Sequence, residues 1–267
     1  MAIDLKARLA RPGFPRSGRY EPQWLIDNAM GPHPLWLMEW LWPALDLPPG
    51  SRVLDLGCGA ALTSIFLANE YDADVVAADL WVEPTDNWAR ISAADCTGRI
   101  LPVRAEAHDL PFADGYFDAI VSVDAYHYFG TDELYLAYLR RFVAPGGRIG
   151  IAVPALVAEF DDDEVPEHLL PYWEPDFWTF HSPRWWRQLW SRSGVVEVDR
   201  ADLLDDGWLD WQRWTEVCAD VNSEKDFALR FQDRATLNEL RLRQAEMLRL
   251  DAGRNLGFAR VVARRRT

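Results

Sequence analysis

At 267 residues the chain has room for one large domain or two small ones, and a composition of 49% hydrophobic and 26% charged residues is that of a globular protein, not a disordered or fibrous one. Asp and Glu (42) outnumber Lys and Arg (28), and the resulting net charge of −14 repels phosphate backbones and anionic lipid, which argues against nucleic acid or membrane as the main partner. Three cysteines (Cys58, Cys96, Cys218) cannot all pair and are not spaced as a metal motif, so a reducing cytoplasm is the expected location.

In chain order, the first residues mix Asp4, Lys6, Arg8 and Arg11 with Pro12 and Gly13 and lack an apolar signal core. The stretch 35–45 is apolar but broken by Glu39 and Pro43 and too short to span a bilayer, so a soluble chain is expected. Short runs rich in Val and Ile then alternate with helical patterns, which predicts strands at 53–57, 74–80, 100–106, 117–125 and 147–154. Their near-continuous hydrophobicity suits strands covered on both faces of a parallel sheet. Thr131-Asp132-Glu133 reads as a capped helix start, and Ala144-Pro145-Gly146-Gly147 as its stop. Past Pro154 the rhythm changes. An acidic run at 161–164 has the pattern of a solvated loop, with no metal site expected; a helix over 183–193 ends at Gly194. A strand at 195–203, a helical insertion over 208–251 and a last strand at 257–263 complete the chain. The expected fold is α/β, a doubly wound, mostly parallel seven-stranded sheet with a helical cap built from insertions. The expected division is N-terminal helices over the site (1–50), an α/β core (51–155), a Trp-rich cap and helix (156–194), and last strands (195–267) with a helical insertion (208–252).

The chemistry-bearing motif is VLDLGCGAALTSIFLA at 53–68, a hydrophobic strand that ends in Asp55-Leu56-Gly57-Cys58-Gly59 and runs into a helix. Glycines in such a turn let backbone approach a ligand where a Cβ would clash. Open α/β sheets bind nucleotides at this kind of strand end. Asp79 ends the second strand, where a carboxylate can accept hydrogen bonds from both ribose hydroxyls. Polar elements also follow the third strand (Glu106-Ala107-His108-Asp109-Leu110-Pro111-Phe112) and the fourth (Asp124-Ala125-Tyr126-His127-Tyr128). A tight strand-to-helix turn with no ligand explains the glycines alone, but not the companions.

With LDLGCG, AADL, HDLPF, FDAIVSVDA and APGG in this order, residues 52–154 resemble the class I S-adenosylmethionine-dependent methyltransferases, nearest to the small-molecule branch of ubiquinone and menaquinone C-methyltransferases. The resemblance implies a Rossmann-like methyltransferase fold that binds S-adenosylmethionine and releases S-adenosylhomocysteine. By the same resemblance Asp55, Gly57, Cys58 and Gly59 form the donor loop, and Asp79 binds the ribose. Leu80 and Trp81 pack on adenine, Glu106 and the Ala107 amide meet its edge, and Asp124 lies beside the methionyl end. Two departures stand out. Ala61 replaces a frequent third glycine, which a helix start is expected to tolerate, and Glu106 stands where Asp is common.

The expected partner is a small-molecule acceptor, hydrophobic, aromatic or amine-bearing, taken by a monomer or homodimer. It would enter beside Tyr126 and Tyr128, with His127 as candidate general base and His181 as a second on the cap. Packing under the cap explains His127 equally well. Fourteen tryptophans, clustered in the N-terminal helices and insertions, suggest an aromatic-walled chamber using Trp36, Trp178 and Trp185, with Tyr20 folding over the donor; cementing cap to core is the plainer role for any one of them. Two other readings stay open: a relative that binds the donor without methylating, as a cyclase or regulator, and an NAD(P)-dependent oxidoreductase. The latter's Gly-x-Gly-x-x-Gly fingerprint has Leu62 at its last position.

Overall fold

The computed structural model describes residues 4–266. Three short helices lead in: α1 (Leu5–Arg8), α2 (Pro22–Asn28) and α3 (Pro34–Leu41). The alternating core follows as β1 (Arg52–Leu56), α4 (Leu62–Tyr71), β2 (Asp74–Asp79), α5 (Pro84–Ala93), β3 (Ile100–Arg104), β4 (Phe117–Val123), α6 (Tyr135–Leu139) and β5 (Val143–Leu156). The remainder is α7 (Pro183–Arg192), β6 (Val196–Leu203), α8 (Gly207–Val221), α9 (Arg234–Asp251) and β7 (Leu256–Arg265). Pro22, Pro34, Pro84 and Pro183 each open a helix, where the missing N–H costs nothing and the fixed φ suits the first turn.

The strands form one seven-stranded sheet in the order β3-β2-β1-β4-β5-β7-β6. β7 is antiparallel to both neighbours, β5 and β6, and the pairs from β3 to β5 are parallel. Successive residues of each strand serve opposite layers. Val53 of β1, Ala152 of β5 and Val262 of β7 face a cluster with Leu35, Met38, Phe66, Trp211 and Trp214, whereas Leu54, Ile151 and Val261 face another with Leu139, Trp186 and Trp190. Both faces are thus covered, as the apolar runs require. The chain order reverses between β1 and β4, so the carboxyl ends of these two strands flank the crevice where such sheets take ligands.

Three local expectations need correction. Ala144-Pro145-Gly146-Gly147 does not end a helix; it lies within β5, bulging from the ladder where the register jumps from Phe117↔Val143 to Ala119↔Arg148. The helix expected to start at Thr131 is delayed to Tyr135, because the Asp132 side chain accepts the Leu134 N–H and closes a turn first. The long insertion is two helices, broken at Asn222, which takes a left-handed conformation and ends α8.

Candidate functional site

The turn leaving β1 is held by its neighbour. Gly57 and Cys58 donate their N–H groups to the Ala78 carbonyl at 2.8 and 3.1 Å. Asp79 then joins two loops: Oδ2 accepts from Gly59 N–H at 2.8 Å, and Oδ1 from Trp81 and Val82 N–H at 2.8 and 2.9 Å. Gly57 has φ +75°, and a Cβ there would overlap the Ala125 methyl, so the ends of β1 and β4 touch at the switch point. Asn87, buried on α5, donates to the Gly59 carbonyl at 2.9 Å and fixes the outer side of the turn. Cys58 is a buried free thiol whose pKa burial pushes up, so it serves the turn as a small apolar group.

Asp55 lies under the turn. Its Oδ2 accepts from the Thr63 and Ser64 hydroxyls, both at 2.6 Å, while Oδ1 has no partner and burial lifts the pKa to about 6. Ala61 is not the relaxed helix start expected from the sequence: it sits at φ +60°, fully buried, where an L-residue is strained. Beyond Asp79, Leu80 and Trp81 are exposed apolar side chains. An unpaired buried oxygen, a glycine turn, a strand-end carboxylate and an uncovered apolar ledge together fit the sulfonium nucleoside that the sequence resemblance implies, with Met30 and Gly31 resting over the turn.

Along the same edge, Glu106 is turned back on its own loop, with His108 N–H and Nδ1 both 2.9 Å from its carboxylate; the His108 bond holds its pKa low. The Ala107 carbonyl accepts from the Tyr135 hydroxyl at 3.1 Å. Asp124 has φ +55° and donates its N–H to the Ala152 carbonyl at 2.9 Å, and desolvation pushes its carboxyl up to about 8. Against it rests Gly31, in the loop after α2. A Cβ on Gly31 would overlap Asp124 Oδ2, while one on Gly59 would stand 3.4 Å from Met30 Sδ. Trp214 Nε1 holds this loop through the Gly31 carbonyl at 2.8 Å.

The acceptor-side expectations fare unevenly. Tyr126, His127 and Tyr128 form one turn of 3₁₀ helix, in which three consecutive side chains point in three directions. Tyr126 is fully buried on the other layer, its ring 5.7 Å from those of Trp186 and Trp190, and so does not line a chamber above β4. Tyr128 is exposed. His127 is 1% exposed, its ring is edge-on to Phe180 at 5.6 Å, and Nδ1 has no partner. Burial lowers the His127 pKa to about 3, which makes it a neutral hydrogen-bonding group and a poor base at neutral pH. His181 is engaged elsewhere, stacked at 3.6 Å on Trp185 and bonded through Nδ1 to Glu159 at 3.0 Å. Trp178 is exposed on the cap beside Trp173.

Two further aromatic expectations, besides that for Tyr126, are overturned. Trp36 is stacked at 3.9 Å on His33 and borders only a cavity of about 10 Å³, the size of one water, so it cements the core. Tyr20 packs on Trp24 and Phe66 instead of closing over the glycine turn. Residues that sequence reasoning missed are Gly31, Met30 and Asn87. Each reaches the site through contacts distant in sequence, and no local pattern marks them.

Residues 53–147 match the family described as a methyltransferase domain. The chain is 32% identical over 176 residues to the 2-methyl-6-phytyl-1,4-hydroquinone methyltransferase of a Synechocystis strain, covering 65% of this chain and 53% of that protein. The chain spans about a third to a half of the length of the first curated relatives it matches. Its fold is similar to a putative sarcosine dimethylglycine methyltransferase from Galdieria sulphuraria, with a TM-score of 0.66 and 19% identity over 86% of this chain and 84% of that one. It is also similar to the [4+2]-cyclase SpnF, with a TM-score of 0.65 and 15% identity over 87% and 80%. At these identities the two likenesses establish the shared fold.

Proposed function

We propose that this chain, whose residues 53–147 match a methyltransferase domain, is a class I methyltransferase that transfers the methyl group of S-adenosylmethionine to a small organic acceptor and releases S-adenosylhomocysteine. The observation that supports this most is the meeting of Gly57 with Ala125, which sets the Asp79-braced glycine turn and Asp124 on either side of one crevice. When bound, the donor supplies a methyl group already activated by its sulfonium charge. The protein's task is then alignment and exclusion of water.

Asp79, with three of its four acceptor sites taken by backbone N–H groups, presents the remaining site on Oδ2 to a ribose hydroxyl. The Gly57–Gly59 turn admits the sulfur-bearing chain, and Asp124 pairs with the donor's ammonium, which would ionise its buried carboxyl. Leu80 and Trp81 lie against adenine. Glu106 reaches its amine by releasing His108, and the Ala107 amide meets a ring nitrogen. The acceptor enters over β4 beside the exposed Tyr128, and His127, neutral because it is buried, orients the acceptor's O–H or N–H through the ring nitrogen other than the enclosed Nδ1. The net charge of −14 and the three free cysteines support a soluble enzyme of the cytoplasm, acting as a monomer or homodimer without nucleic-acid partners. No helix among the described residues is long and apolar enough to cross a membrane.

The test incubates the protein with S-adenosylmethionine and a panel of hydroquinones, phenols, amines and carbon acids, and reads products by mass spectrometry. A product heavier than its acceptor by one CH₂, formed with S-adenosylhomocysteine in equal amount, is expected. Bound donor with no methylated product over the whole panel would favour the non-methylating reading instead.

A further inference from the structure

The connector between α8 and α9 is fastened to the nucleoside edge of the sheet. Phe227 is buried with Ala60 and Val82, which follow closely on Gly59 and Asp79. The guanidinium groups of Arg90 and Arg230 lie over its ring at 4.8 and 4.6 Å. Arg230 pairs with Asp86 of α5, and Ser223 bonds Asp27 of α2, so the connector is tied at both ends.

Phe231, four residues on, behaves differently. It is 51% exposed, and its ring centroid stands 6.3 Å from that of Trp81, which is 66% exposed. The rings are inclined at 50°. Two large aromatic side chains left wet and facing each other, beside the carboxylate that ends β2, are a costly arrangement unless something flat covers them. A planar ring held in van der Waals contact on both faces needs about 7 Å between its two neighbours. A small outward shift and a rotation of Phe231 would supply that spacing.

We propose that Phe231 and Trp81 clamp the adenine ring of the donor, which makes the α8–α9 connector part of the nucleoside site. The clamp rests on the donor reading given above. Phe227 is the anchor and Phe231 the moving jaw: the first is buried and covered by two arginines, whereas the second meets it at a tilt with centroids 5.8 Å apart, carries no arginine and is half exposed. Adenine offers a π-face to each ring, and its edge remains available to Glu106 and Ala107.

Calorimetric titration with S-adenosylhomocysteine and with adenosine, on the parent, Phe231→Ala and Phe231→Tyr, tests the clamp, with thermal melting alongside. Phe231→Ala is expected to weaken both ligands roughly ten-fold, the scale of one lost base–aromatic stack, with an unchanged melting temperature. Phe231→Tyr keeps the ring and should bind like the parent. Parent-like binding by Phe231→Ala overturns the clamp. So does a loss seen with S-adenosylhomocysteine but not adenosine, which would place Phe231 at the amino-acid end or the acceptor, or a loss that Tyr fails to restore. If the parent binds neither ligand, the donor reading itself fails and the clamp with it.

Discussion

Gly31→Ala separates donor binding from folding. The added methyl would overlap Asp124 Oδ2 and stand 3.2 Å from its Cγ. Asp124 cannot retreat as a whole, because its N–H is bonded to the Ala152 carbonyl at 2.9 Å and its φ is already +55°. Its carboxyl must therefore swing about the side-chain torsions, at about 0.5–1.5 kcal/mol. Gly31 has an ordinary backbone conformation, so alanine there also stiffens the unfolded chain and returns about 0.4–1 kcal/mol. Stability should be nearly unchanged. Donor affinity should not: displacing a carboxylate from the donor's ammonium loses a charge-assisted hydrogen bond of about 1.5–3 kcal/mol, a rise in Kd of roughly ten- to 150-fold. Calorimetry with S-adenosylhomocysteine and thermal unfolding on the same preparation read both quantities. Asp124→Asn should show a similar loss, and the double variant no further one. Unchanged affinity in a folded Gly31→Ala protein would refute the placement of Asp124.

Because burial holds the free Asp124 carboxyl up to about 8, it is mostly protonated between pH 6 and 8. Pairing with the ammonium ionises it, so binding releases a proton and affinity should rise with pH through this window by up to about ten-fold per unit. Asp124→Asn should flatten that limb when Kd is followed against pH. His127→Ala should lower kcat while leaving S-adenosylhomocysteine affinity as it is. With its folded pKa near 3 and an unfolded value near 6.5, His127 contributes stability that is full above the higher value and lost as pH falls towards the lower; His127→Gln should make the protein less acid-labile in that range, read by urea midpoints. Ala61→Gly should change stability by under about 1 kcal/mol, since relief of a left-handed residue offsets a lost buried methyl. Ala61→Val, β-branched at φ +60°, should cost at least about 3 kcal/mol in thermal unfolding, and a stable valine variant would contradict the strain.

The sheet was legible because its inner strands β1, β4, β5 and β7 are covered on both faces and so read as largely apolar runs, while the edge strands β3 and β6 are partly exposed. The glycine turn and its carboxylate brace were legible because their constraints are local: Asp55, Gly57, Gly59 and Asp79 lie at the ends of successive parallel strands. Contacts that depend on the third dimension were not. Gly31 meets Asp124 across 93 positions of chain, and Trp81 meets Phe231 across 150, with nothing in either neighbourhood to announce the pairing. Tyr126 misled because adjacency to His127 suggests a shared face, whereas a 3₁₀ turn splays consecutive residues. The tryptophans misled by number. Trp36, Trp186, Trp190, Trp211 and Trp214 are buried in the two layers, where large side chains fill the gap between sheet and helices.

The most direct measurement is a crystal structure of the protein grown with S-adenosylhomocysteine. The ribose should lie on Asp79, the ammonium beside Asp124, and the sulfur should point towards His127 over the end of β4. A ligand bound at another edge of the sheet, or a β1–β4 crevice still closed by Met30 and Gly31 at saturating ligand, would contradict the account.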